Sequence, residues 1–187
     1  MKKFVTVIAV LFIAGSAQAI TDIAAGIYGG LNAPIVQEDT KAGAGFGARL
    51  KLAPTPLLGA ALFFETRSYG DPEKTIFEGD PLLEQTVTSD GGKVTVFGIE
   101  GMIGAVGGGV GPHFYWMLGV GNYKWTRDGY DDLSKIGFHL GPGVEIGFPA
   151  GIGVEAKAKL EIVPTDGGGS RKNGLIFIGA NYHFGVM

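Results

Sequence analysis

The chain has 187 residues, 34 of them glycine and none cysteine, and a formal net charge of −3. Hydrophobic residues make up 45% and charged residues 18%, which is too apolar for a disordered chain. The length allows one domain or a small pair. Mild acidity argues against a nucleic-acid partner, which needs clustered Lys and Arg. The lack of Cys removes disulfides, thiolate nucleophiles and Cys-ligated zinc.

Residues 1–19 read as a secretion signal. Lys2 and Lys3 precede an apolar run, Phe4 to Ala14, and Ala17-Gln18-Ala19 supplies the small-x-small site that signal peptidases cut. The run is too short to be a spanning helix, which needs about 20 apolar residues. The expected mature unit is 20–187, which loses two lysines and so carries a net charge of −5.

The rest of the chain has a period of two. Strands are predicted at 23–32, 43–53, 57–68, 93–104, 113–124, 135–148, 152–163 and 174–185. The seventh is the clearest. Ile152, Val154, Ala156, Ala158, Leu160 and Ile162 share one face, and Glu155, Lys157, Lys159 and Glu161 share the other. Side chains alternate across a strand, whereas a helix would scatter those charges around its axis. Pro142 in the sixth strand cannot donate to a ladder and predicts a bulge beside Gly141 and Gly143. Thr86 to Val96 would suit a hairpin about Asp90-Gly91 and is read as a β-extension rising from a long loop. Short links at 53–56, 105–112 and 149–151 alternate with longer ones at 33–42, 69–92, 125–134 and 164–173. This asymmetry predicts an all-β, eight-stranded antiparallel transmembrane β-barrel with short periplasmic turns and longer external loops.

A soluble lipocalin-like periplasmic barrel has the same strand count but puts its apolar face inside. Charge balance separates the two readings. The polar faces of strands two to seven hold Glu65, Glu100, Glu145, Glu155 and Glu161, and also Arg49, Lys51, Arg67, Lys157 and Lys159. Five acids meet five bases. An enclosed space demands that pairing, because an unpaired buried ion costs several kcal/mol. A solvated outer face makes no such demand. Inward glycines such as Gly43, Gly45, Gly143 and Gly179 leave room for long side chains and ease tight curvature. The ten ionisable residues are therefore expected to form a lumen charge network behind a lipid-facing apolar wall.

The C-terminal run Phe177-Ile178-Gly179-Ala180-Asn181-Tyr182-His183-Phe184 resembles the assembly signal of outer-membrane barrels, with Gly179, Tyr182 and Phe184 at the matching positions. Phe177 stands where that signal usually has a polar residue. Ala25-Gly26-Ile27-Tyr28-Gly29-Gly30-Leu31 is similar to the first strand of the same proteins. The mature chain thus resembles the small eight-stranded outer-membrane barrels of the OmpA/OmpX type. The resemblance implies a bacterial outer-membrane location, with outer-membrane lipid, lipopolysaccharide and the barrel assembly machinery as partners.

Sites for chemistry are sparse. His113, His139 and His183 all have lumen parity, and the serines Ser68, Ser89, Ser134 and Ser170 lie in or beside the long links. A catalytic base needs its nucleophile within hydrogen-bond reach. The lipid A deacylases of this barrel class carry His-x-Ser on one strand, but here Leu140-Gly141 follow His139. Gly104 to Pro112 lacks the Lys-Ser/Thr of a phosphate loop. Asp128, Asp131 and Asp132 fit no EF-hand spacing. No catalytic residue, metal or cofactor is expected. The segment 69–92 carries six carboxylates and one lysine, a net charge of −5, together with apolar Ile76, Phe77, Leu82 and Leu83. It is the candidate contact for an external ligand, and the simpler reading is a solvated loop packing on the rim. The expected function is a structural or interaction role with a closed lumen. A narrow small-solute channel, a lipid A-modifying enzyme and the soluble barrel are the alternatives.

Overall fold

The computed structural model describes residues 22–35, 41–76, 85–88, 90–129, 131–165 and 168–184. The segment read as a secretion signal lies outside the described residues, as do Phe77, Leu82 and Leu83. The chain forms β1 (Asp22–Pro34), β2 (Lys41–Thr55), β3 (Leu58–Gly70), β4 (Glu73–Ile76), β5 (Gln85–Thr88), β6 (Lys93–Gly104), β7 (Gly111–Thr126), β8 (Leu133–Phe148), β9 (Ile152–Pro164) and β10 (Ser170–His183). Eight of these close into one barrel in the order β1-β10-β9-β8-β7-β6-β3-β2. Every neighbouring pair is antiparallel, and β1 pairs with both β2 and β10. Among the described residues the closed barrel itself has no unpaired strand edge.

The alternation read from the sequence decides which side each residue takes. Along β9 the outward Ile152, Val154 and Leu160 are exposed, whereas Glu155, Lys157, Lys159 and Glu161 are buried. The same inversion holds around the wall, where Ile27, Phe46, Phe97, Phe114, Leu118, Ile176 and Ile178 all point outward and are more than half exposed. A soluble barrel would hide these residues. Among the described residues the molecule is apolar outside and polar within, which is the transmembrane-barrel arrangement.

One local expectation is corrected. Pro142 makes no bulge. Its partner on β7 is Trp116, and on the β9 side Leu140 pairs with Leu160 and Gly143 with Lys157 in one continuous register. The ladder simply lapses at Gly141 and Pro142, where the proline has no N–H to give. The register shifts lie instead at both ends of the β2–β3 pair, between Lys41 and Ala44 and between Leu52 and Thr55. The β-extension read in the long loop is present, formed by β4 pairing with β5 and not about Asp90-Gly91. Asp90 instead accepts a hydrogen bond from the Gly92 N–H at 2.9 Å and one from the Asp128 N–H at 2.8 Å, turning the chain into β6.

The start of β1 and the end of β10 lie at one end of the barrel, with the turns around Pro56, 105–110 and 149–151. The longer connections leave from the other end. The two are called here the terminal end and the loop end. Val154→Asp places a carboxyl on the outward wall of β9. It is expected to cost about 2 kcal/mol or to block insertion into vesicles, read as loss of the folded band in unheated electrophoresis. A fully folded, equally stable variant would mean that this face does not meet lipid.

Candidate functional site

Each of the ten ionisable residues expected in the lumen is inside the barrel and no more than 4% exposed. They come from five strands, β2, β3, β6, β8 and β9, and their pairing follows the ring of strands. In a ring of eight, β3 and β9 are diametrically opposed. Lys159 Nζ on β9 donates to Glu65 Oε1 on β3 at 2.5 Å, and Arg67 Nη1 on β3 donates to Glu161 Oε2 on β9 at 2.7 Å. These two pairs cross the full width of the interior in opposite senses. Arg49 on β2 binds Glu155 at 2.5 Å and lies 3.5 Å from Glu100 and 3.8 Å from Glu145. Glu145 and Glu155 are direct register partners on β8 and β9, a like-charge pair that would destabilise the sheet. The Arg49 guanidinium between them removes that penalty. Lys51 adds a 3.2 Å contact to Glu145.

Lys157 departs from the expected five-with-five pairing. Its ammonium has no hydrogen-bond partner and sits over the Tyr28 ring, 3.4 Å from the centroid. A desolvated cation–π contact of this kind is worth about 2 kcal/mol. The carboxylate side holds a sixth member, Asp22, just before the first predicted strand. Asp22 lies 2.6 Å from His183 Nδ1 and Glu145 lies 2.5 Å from His183 Nε2, so the His183 ring bridges the two carboxyl groups. His139 meets Glu100 at 3.1 Å, and His113 contacts the Gly109 carbonyl at 3.2 Å.

Several partners in this interior were not singled out in the sequence. The Tyr28 hydroxyl donates to Glu65 at 2.8 Å, the Tyr123 hydroxyl donates to Glu161 at 3.2 Å, and Tyr115 donates to Glu155. Asn181 Nδ2 donates to Glu145 at 2.7 Å. The glycines make room for these rings as well as for charges. A Cβ on Gly143 would clash with the Tyr115 ring, and one on Gly47 would lie 2.7 Å from Cε2 of Tyr28. A tyrosine facing a glycine across the ladder was the available signal.

Apolar layers close the ionic layer from both ends. At the loop end Phe63, Tyr69, Val94, Val96, Tyr123, Trp125 and Val163 form one buried cluster. At the terminal end Ala53, Ala61, Met102, Val106, Tyr115 and Met117 form another. Val106 comes from the 105–110 turn, which folds beneath the barrel through a 2.9 Å bond from its N–H to the Pro56 carbonyl. The Gly108 N–H in the same turn donates to Asp22 at 3.1 Å. Phe177, where the assembly signal usually has a polar residue, points inward and packs edge-on against Tyr28 at 5.2 Å. Tyr182 and Phe184 are exposed on the outer wall, in edge contact at 5.0 Å. Gly179 lies across the ladder from Tyr28.

No family model matches this chain, and no curated protein matches it by sequence. Solved structures share its fold. The N-terminal β-barrel domain of Pseudomonas aeruginosa OprF superposes with a TM-score of 0.59 at 12% identity, covering 88% of this chain and 98% of that one. Neisserial surface protein A gives 0.58 at 12% identity, covering 87% and 96%. Ail of Yersinia pestis, solved with the heparin analogue sucrose octasulfate, gives 0.50 at 19% identity, covering 87% and 99%. The fold is that of the eight-stranded outer-membrane barrels, and at these identities the likeness is one of fold.

Lys159→Met removes the ammonium from two buried carboxylates and is expected to cost about 3–5 kcal/mol. Lys157→Met loses only a ring contact and stays within about 2 kcal/mol of the parent. Urea unfolding in detergent, followed by tryptophan fluorescence, checks the order. Equal losses would contradict the pairing described.

Proposed function

We propose that this protein is an outer-membrane β-barrel with a structural and surface-contact role, a closed lumen and no catalysis. The terminal end lies in the periplasm and the loop end faces outward. The single observation that carries the reading is the layering of the interior, with neutralised ion pairs sealed between two apolar clusters. Eight strands enclose a space just wide enough for side chains to fill. An ion entering it would have to break a buried pair and then cross an apolar layer. Among the described residues the three histidines point inward or into the 105–110 turn, whereas Ser68, Ser134 and Ser170 are exposed at the loop end. That separation speaks against a lipid-modifying Ser–His pair. The outward apolar wall speaks against a soluble ligand carrier.

The contact surface would then be the loop end. There the 69–92 segment carries a net charge of −5, unsuited to a polysulfated sugar such as the one in the Ail structure. It suits a basic partner surface or bridging divalent cations. Two measurements test the reading. Unheated protein is expected to migrate differently from boiled protein in electrophoresis, and planar bilayers at high protein load are expected to stay silent. Discrete conductance steps would replace the closed-lumen reading with the channel.

A further inference from the structure

The outer wall is not uniformly apolar. At the loop end of β3, β6 and β7, six outward side chains lie in a grid set by the strand register. Ser68 pairs with Lys93 and Thr66 with Thr95. Lys93 pairs in turn with Thr126, and Thr95 with Lys124. Register partners on one face have Cβ atoms about 4.5–5.5 Å apart, so four hydroxyls and two ammonium groups share one small area. A hollow of about 250 Å³ opens here, lined by Phe46, Thr66, Arg67, Ser68 and Lys93. Thr66 is 8% exposed, and its hydroxyl has no hydrogen-bond partner. Thr66 thus brings an uncommitted hydroxyl to the edge of the hollow. Among the described residues no carboxylate lies within ion-pair distance of Lys93. Lys124 holds Asp132 at 2.7 Å, with both side chains about half exposed, and a surface pair of that kind yields readily to a better acceptor.

One row further from the loops the wall becomes aromatic. Phe64 and Phe97 are register partners, and with Phe46 they are 45–66% exposed. A ligand seated on the grid would hold an acceptor-rich anion against ammonium and hydroxyl donors and lay apolar chains over those rings. Phosphate oxygens accept strongly from such donors, and only a lipid joins phosphate to acyl chains. Resting on the outer-membrane reading above, we propose that Lys93, Lys124, Ser68 and Thr66 form a binding site for the phosphate of a lipid in the external leaflet. The opposite wall offers a built-in control. There Lys172 faces outward at the same end, beside Ile162 across the ladder.

The test is retention of lipid by the full-length folded barrel, purified in detergent, incubated with lipid A carrying its phosphates and measured by native mass spectrometry. The unheated electrophoretic band certifies the fold of each variant. K93Q/K124Q is expected to lower retention about tenfold, with K93R/K124R retaining it and K172Q unchanged. Thr66→Val should weaken it without any change of charge. Lipid A stripped of its phosphates should bind the parent and all variants alike, and millimolar inorganic phosphate should not displace the phosphorylated lipid. Equal retention by K93Q/K124Q overturns the site. So does an equal loss in K172Q, which would reveal general charge attraction, and so does displacement by inorganic phosphate. A parent chain that forms no heat-modifiable band overturns the membrane reading beneath it as well.

Discussion

An interior about one side chain wide cannot hold a free charge. Eight strands enclose too little space for bulk water, and each unpaired ion there costs several kcal/mol. The pairs Lys159–Glu65 and Arg67–Glu161 therefore act as struts across the ring, joining β9 to β3 at 2.5 and 2.7 Å. Arg49 reaches three carboxylates from three different strands. Each strut also specifies register, because a slip of one residue would turn its charges out into the apolar wall.

Tyrosines and glycines complete what the ions begin. A carboxylate offers more lone pairs than one ammonium can fill, and Tyr28, Tyr115 and Tyr123 supply donors to Glu65, Glu155 and Glu161. Their rings need depth, which a facing glycine provides. The same rings carry the cations sideways, as Tyr28 does for Lys157 and Tyr123 for Arg67 at 5.9 Å. The ionic layer thus grades into the apolar clusters at either end through residues that belong to both. Tyr115 lies in the terminal-end cluster and Tyr123 in the loop-end cluster.

The outside obeys a different solvent. Where the wall meets hydrocarbon it is Leu, Ile, Val and Phe, and where it leaves hydrocarbon it changes on particular strands rather than all round. The hydroxyls and lysines collect on β3, β6 and β7, beside the acidic segment that links β3 to β6. The two differ in sign and in direction. Lys93 and Lys124 face sideways from the wall, whereas Asp90 is held in the loop by the Gly92 and Asp128 N–H groups, which stabilise its ionised form and lower its pKa. The loop end therefore carries a cationic, hydroxyl-bearing face on its wall and an acidic segment beside it.

The sequence by itself determined the number of barrel strands, the alternation of short and long links and the facing of the charged residues, because a period of two is a local property of the chain. Five acids and five bases of one parity were enough to place charge inside. Their pairing was not legible, since partners such as Lys51 and Glu145 are 94 residues apart in sequence and meet only through the closing register. The inward Phe63, Val94, Val96, Met102 and Met117 escaped notice because those strands are apolar on both faces, which blurs the alternation. Asp22, with His183 as its partner, stayed hidden until β1 closed against β10. Pro142 was misjudged because a lone proline removes one donor, which a strand can forgo without changing register. Which charge meets which, and that Lys157 meets a ring, was decided by tertiary closure alone, because only the closed ring fixes the distances on which those contacts depend.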